Sequence, residues 1–263
     1  MRAIGVFDSG VGGLTVVKEL IRQLPRENIV YFGDTARVPY GIKSRETVIR
    51  FSIENILFLL KRDVKFICVA CNTVSSFALP EIKNHFRVPL VGVITPGARE
   101  AVYATRNKRV GVIGTKGTIK SRAYENEIKH FDPKVKVTAV SCPLFVPFVE
   151  EGWLSGGVVK TVAQQYLKPL KDAGVDTVIL GCTHYPLLKG VIKEVMGDNV
   201  ILIDSAKQVA IEVNKILSNE GLLNKKGKGR HEFFVSDNPE WFSSLAQRFL
   251  GRPVINVKKV ANV

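Results

Sequence analysis

The chain has 263 residues, 46% hydrophobic and 24% charged, with a formal net charge of +14. Such a composition excludes a disordered or fibrous chain, and no run approaches the roughly 20 apolar residues of a membrane-spanning helix. The N-terminus enters a short strand and reaches Asp8 without the apolar core of a signal peptide, so a cytoplasmic location is expected. The basic residues concentrate at 106–109 and 225–230 without interleaved aromatics. A base-stacking surface would have them, so no nucleic-acid partner is expected; the runs read as solvated loops, with a positive field that draws in a small anionic substrate as the functional alternative. Four cysteines without a secretory signal read as reduced thiols, free for packing or chemistry.

In chain order, Ile4–Phe7 predicts a strand, followed by Asp8-Ser9-Gly10-Val11-Gly12-Gly13 and a helix with Leu14, Val17, Leu20, Ile21 and Leu24 on one face. Pro25 ends that helix. Ile29–Phe32 is a second strand, and residues 33–41 are too long for a tight turn and form a candidate binding loop. Ser44 caps a helix running to about Lys61. A third strand, Phe66–Ala70, delivers Cys71; a helix interrupted at Pro80 and a strand at Leu90–Val93 follow. The alternation of strand and helix implies a parallel sheet with helices on both faces.

After Thr95-Pro96 the pattern restarts with a helix to about Thr105 and a strand at Val110–Ile113 running into Gly114-Thr115. Gly111-Val112-Ile113-Gly114-Thr115 echoes Gly5-Val6-Phe7-Asp8-Ser9-Gly10, and Val178–Gly181 delivers Cys182-Thr183-His184 as the third strand delivers Cys71. An internal duplication follows. The expected architecture is α/β, with two similar doubly wound parallel-sheet domains facing a shared cleft: residues 1–95 plus 206–263 form one and 96–205 the other. Within the second, a helix spans about 122–130, a strand 135–140 and a helix 158–173, while the two prolines of 142–153 suggest a shaped loop. A helix begins near Pro186, a strand spans 200–203 and Asp204-Ser205 cap a helix to about Ser218. A strand at 231–235, a helix at 239–249 and a final strand at 254–257 return to the first domain.

Ligands of open parallel sheets bind beyond the carboxyl ends of the strands, where Asp8, Cys71, Thr115 and Cys182 all fall. Each precedes a helix whose first turn offers unpaired N–H groups, so Ser9, Gly10, Asn72, Thr73, Thr118, Thr183 and His184 are candidates to hold the carboxylates of a small acid. The same position is expected to lower a thiol pKa. Gly10-Val11-Gly12-Gly13 is a poor dinucleotide fingerprint, because Thr15 occupies the third glycine position and Asp8 stands where a pyrophosphate would sit. Cys68 and Cys71 could be counted with Cys182 and His184 as zinc ligands. Three residues of strand, however, separate the first two by about 10 Å and point them to opposite faces. Cys68 and Cys142 read as small core residues.

Together, Asp8–Leu14, Gly33–Gly41, Ala70-Cys71-Asn72-Thr73, Cys142–Pro147 with Glu150, and Gly181–Pro186 resemble the glutamate racemase family of cofactor-independent aspartate/glutamate racemases. The resemblance implies interconversion of L- and D-glutamate without pyridoxal phosphate or metal, D-glutamate supply for peptidoglycan, and a homodimer. It assigns Cys71 and Cys182 as acid/base residues on opposite faces of the substrate Cα, Asp8 as the assistant of Cys71, and His184 with Glu150, rather than Glu151, as that of Cys182. Asp8, Ser9, Tyr40, Gly41, Asn72, Thr73, Thr115, Thr118, Thr183 and His184 would bind substrate. An aspartate or hydantoin racemase of the same fold, and a binding protein without chemistry, are the alternatives.

Overall fold

The structure is a computed structural model in which residues 2–260 are described. The first run of elements is β1 (Ala3–Asp8), α1 (Leu14–Gln23), β2 (Ile29–Gly33), α2 (Arg45–Leu60), β3 (Val64–Val69), α3 (Asn72–Phe77), α4 (Leu79–Ile82) and β4 (Leu90–Gly92). The second is α5 (Ile94–Ala104), β5 (Arg109–Gly114), α6 (Lys116–Ser121), α7 (Ala123–Phe131), β6 (Lys136–Ser141), α8 (Phe145–Glu150), α9 (Gly157–Asp172), β7 (Thr177–Gly181), α10 (Lys189–Met196) and β8 (Ile201–Asp204). The chain then adds α11 (Ser205–Asn219), β9 (His231–Val235), α12 (Pro239–Leu250) and β10 (Lys258–Lys259).

Every strand pairing is parallel among the described residues. One sheet has the order β10-β9-β2-β1-β3-β4 and the other β6-β5-β7-β8. The core of the first, β2-β1-β3-β4, and the whole of the second run through the same sequence of positions, so the repeat seen in the motifs is also a repeat of topology. In each sheet the chain reverses its winding between the first and third strands of the repeat, which are β1 and β3 in one and β5 and β7 in the other. These are the points at which α/β sheets open a crevice for ligands.

The strands are apolar on both faces because helices cover both. Ile4, Val6, Phe66 and Cys68 face one core cluster, while Phe7, Ile67, Val69 and Cys71 face another. Cys68 and Cys71 therefore lie on opposite sides of the first sheet, and no group of three or more His, Cys, Asp or Glu is arranged to hold a metal among the described residues. No helix among them is long and apolar enough to cross a membrane.

Three local expectations need correction. Residues 145–150 form α8 instead of a loop, because Pro147 falls in the first turn, where its missing N–H has no intrahelical partner to lose. Helix α5 likewise begins at Ile94, ahead of Pro96. The terminal strand is Lys258–Lys259, paired with Phe234 and Val235, and not 254–257. Asn256 takes a left-handed backbone with φ 60° and interrupts that extended run.

The C-terminal segment is fastened under the first sheet by a buried ion pair. Lys65 Nζ lies 2.7 Å from Glu27 Oε2 and also donates to the Leu222 carbonyl and to Asn224 Oδ1, while Asn224 N donates to Glu27 Oε1 at 2.6 Å. Removing one partner of a buried pair strands the other charge. Lys65→Met is expected to cost about 3 kcal/mol or more of folding stability, read by urea unfolding; an unchanged midpoint would contradict this account.

Candidate active site

The two sheets present the carboxyl ends of β1, β3, β5 and β7 to one another across a small cavity of about 40 Å³. Its walls are Ser9, Val38, Pro39, Tyr40, Gly41, Cys71, Asn72, Thr73, Thr115, Val146, Cys182, Thr183 and His184. Three larger depressions, of about 470, 630 and 420 Å³, open on the surface near Pro80 and Asn126, near Lys43 and Lys116, and near Arg62 and Arg230. They hold neither thiol, whereas the smaller space is lined by both.

Close packing at glycines makes the cavity tight. A Cβ at Gly12 would stand 2.3 Å from Thr183 Oγ1 and 2.5 Å from His184 Nδ1. One at Gly41 would stand 2.7 Å from Thr115 Cβ. Polar contacts tie the same seam: Thr15 Oγ1 donates to the Thr183 carbonyl at 3.1 Å, and Thr73 Oγ1 lies 3.0 Å from Thr115 Oγ1 and 3.4 Å from Thr118 Oγ1. Thr118 does not line the cavity; it holds the two threonines that do. The 34–41 loop is anchored by buried Asp34, which accepts from Arg37 Nε, Ser236 Oγ and the Tyr40 hydroxyl.

Cys71 precedes α3 and is buried, with Sγ 3.7 Å from Ser9 Oγ. The expectation that a helix N-terminus lowers its pKa fails here. Burial, reinforced by the nearby Asp8 carboxylate, pushes the thiol up to about 12 and outweighs the hydrogen bonds from Val74 N–H and Ser9. Asp8 ends β1 behind the cavity wall. Its Oδ2 accepts from Gly10 N at 3.0 Å, its Oδ1 is buried without a partner, and burial raises its pKa against the pull of His184.

Cys182 follows β7, with Sγ 3.9 Å from His184 Nδ1. The other imidazole nitrogen, Nε2, is 2.9 Å from Glu150 Oε1 at the end of α8, while Glu151 is exposed. Burial by itself would lower the His184 pKa, but the contacts with Cys182 and Glu150 prevail and raise it to about 10. Glu150 thus stands behind His184 and outside the cavity. The surroundings of the two thiols thus differ: Cys71 touches Ser9 and feels the Asp8 carboxylate, while Cys182 touches His184, which is backed by Glu150.

Sequence reasoning missed Tyr124, whose buried hydroxyl on α7 donates to Asn72 Oδ1 at 2.8 Å. That bond orients the amide and leaves Asn72 Nδ2 buried and unpartnered beside the cavity. Val38 and Pro39 fall in the expected 33–41 binding loop and Val146 in the 142–147 motif, but none was singled out, since apolar wall residues carry no chemical signature. The asymmetry of a lone tyrosine at the start of a helix gave no signal either.

The family model described as Asp/Glu/Hydantoin racemase matches residues 4–212, and the chain belongs to this family of racemases. Proteins named glutamate racemase are among its relatives. The protein of that name from Geobacter metallireducens is 54% identical over 99% of this chain and 97% of its own. The solved glutamate racemase of Francisella tularensis, in complex with D-glutamate, has a TM-score of 0.93 at 40% identity and covers 99% of this chain and 97% of its own. A Bacillus anthracis glutamate racemase isoform superposes with a TM-score of 0.95 at 43% identity, covering 98% and 97%.

Two outcomes test this geometry. Gly12→Ala is expected to hold the cleft open and reduce turnover on the order of 10-fold or more, given the sensitivity of catalysis to small displacements; normal turnover would show that the cleft works without this approach. The raised pKa values also set a sign. Between 6.5 and about 10 the folded protein keeps a proton on His184 that the unfolded chain releases, and Cys71 extends this from 9.0 to about 12. This stability is fully present below pH 6.5 and is lost as pH rises through about 10. Calorimetry should show a falling Tm over that range, and a rising one would contradict the assignment.

Proposed function

We propose that this chain is a glutamate racemase that interconverts L- and D-glutamate through Cys71 and Cys182, and so supplies D-glutamate for peptidoglycan. The observation that carries the reading is the placement of two thiols on one cavity, delivered by equivalent strands of two sheets of the same topology. A carbon acid that leaves as its mirror image must lose a proton from one face and gain one on the other. One thiolate removes the Cα proton, its sulfur becoming a thiol, and the opposite thiol protonates the planar carbanion and becomes a thiolate. Returning the pair to its starting state then requires one proton to move in each direction.

Asp8 and His184 are the groups placed for that return. The Asp8 carboxylate, whose Oδ1 is buried without a partner and whose charge acts on Cys71, is the group that can take a proton from its thiol. His184, charged through its contacts with Cys182 and Glu150, stabilises a thiolate at Cys182 and can donate to it. Substrate binding uses the polar groups that line the cavity. Asn72 Nδ2, the hydroxyls of Ser9, Thr73, Thr115 and Thr183, and the N–H groups opening α3 suit carboxylates, while Asp8, behind the wall, offers the ammonium a balancing charge and not a lining contact. Tyr40 and Gly41 close the wall nearest Thr115, and Thr118 supports it. That ammonium also brings positive charge to Cys71, opposing the burial that keeps its proton on. The reading includes a cytoplasmic homodimer.

The purified chain, given L-glutamate in D2O without added cofactor, is expected to form D-glutamate and incorporate deuterium at Cα; neither product would sink the proposal. Cys71→Ala and Cys182→Ala should each lower racemisation at least on the order of 100-fold, measured by chiral chromatography. A single variant with near-normal turnover would refute the two-thiol mechanism. Aspartate and a hydantoin, the other substrate types in the family's description, complete the panel. Faster turnover of either would move the substrate assignment, and sedimentation equilibrium reads the dimer.

A further inference from the structure

We propose that Arg248 and Phe249 of the C-terminal helix α12 are positioning residues for Glu150 and His184, so that the acid/base group at Cys182 is incomplete without an element that packs against the other sheet. This inference rests on the two-thiol reading. It concerns residues outside the stretch 4–212 that the racemase family model matches.

Glu150 ends α8, which has six residues. A helix that short does not hold itself, and its last carbonyls lack intrahelical donors. Arg248 adds to the local turn: its Nη1 donates to the Val149 carbonyl at 2.9 Å, which also accepts from Gly152 N, and to the Glu150 carbonyl at 2.5 Å. The cation also sits at the negative end of the helix, where charge and hydrogen bonding act together. The turn that follows is shaped around the guanidinium. Gly152 has φ 81°, and a Cβ there would stand 2.7 Å from Arg248 Nη2.

The neighbouring residue acts on the other member of the pair. The Phe249 ring is buried with its centroid 5.1 Å from that of His184, at an interplanar angle of 83°. Gly12 closes on the His184 Nδ1 edge of the imidazole. The ring is thereby held with Nδ1 toward Cys182 and Nε2 toward Glu150. Helix α12 is itself fixed elsewhere: Phe242 packs on Tyr31 of β2, with ring centroids 5.8 Å apart. One helix thus carries the position of the first sheet to the carboxylate and the imidazole that serve the thiol of the second.

Arg248→Met and Phe249→Leu test the assignment, with Arg248→Lys as the conservative control. Neither residue lines the cavity, so KM for glutamate should stay within about twofold while kcat falls on the order of 10-fold or more, the share a positioned acid/base contributes. Lysine should recover most of the loss by donating to the same carbonyls. A second readout separates positioning from a general loss of folded protein: the His184 imidazole, followed by NMR in the full-length chain. The titratable groups facing it are Cys182, Glu150 and Asp8. In Arg248→Met its titration should move down toward the ordinary histidine value as the Glu150 contact loosens, and Phe249→Leu supplies the same readout if the methionine variant does not fold.

Unchanged kcat in both variants, or a lower kcat with the His184 titration unmoved, overturns the proposal. Absence of glutamate turnover in the wild-type chain overturns it together with the two-thiol reading. Turnover in the wild type with indifferent variants overturns it alone.

Discussion

The whole arrangement depends on how closely two sheet ends approach. Two thiols can address opposite faces of one carbon only when their strands meet tip to tip across the width of a small molecule. Here the approach is set by positions with no side chain: Gly12 against Thr183 and His184, and Gly41 against Thr115. Dispersion and hydrogen bonding then hold the seam, with Thr15, Thr73, Thr115 and Thr118 spanning it. Without those contacts each sheet still has its own apolar layers, yet neither carries more than one of the two thiols that line the cavity.

Burial at the seam explains why the electrostatics depart from what a strand end and helix start suggest. A helix N-terminus offers a partial charge; removing the surrounding water penalises a full one. At Cys71 the second effect wins, since the nearest ionisable neighbour is another acid. At His184 the balance reverses, because a carboxylate and a thiol flank the ring and favour its charged form. The duplicated halves therefore share geometry but not charge. One thiol leans on a carboxylate, the other on an imidazole backed by a carboxylate.

The parallel strands, their order of appearance and the thiol-bearing ends were legible in the sequence, because apolar runs broken by small polar residues at strand ends are strong local signals. The shared topology followed from the echo between Gly5–Gly10 and Gly111–Thr115. What could not be read locally depended on tertiary context. Residues 145–150 contain a proline that breaks helices in most positions and is harmless in the first turn. The residues 254–257 have strand composition, and one left-handed asparagine shifts the pairing to two lysines. The pKa of Cys71 could not be read from its neighbours in sequence, since burial and Asp8 come from elsewhere in the fold. Tyr124 and Arg248 act through contacts with residues distant in the chain and leave no motif.

The inequality between the two thiols' partners has a consequence for reaction energetics. Enantiomers in achiral water have equal free energies, so the equilibrium between them is fixed at one whatever the protein does. A pocket whose left and right sides differ chemically must nonetheless give the two directions equal kcat/KM. Its chirality can appear only in how each direction divides that ratio, with one enantiomer held more tightly and turned over more slowly. The unlike surroundings of Cys71 and Cys182 are a bias that thermodynamics confines to bound states.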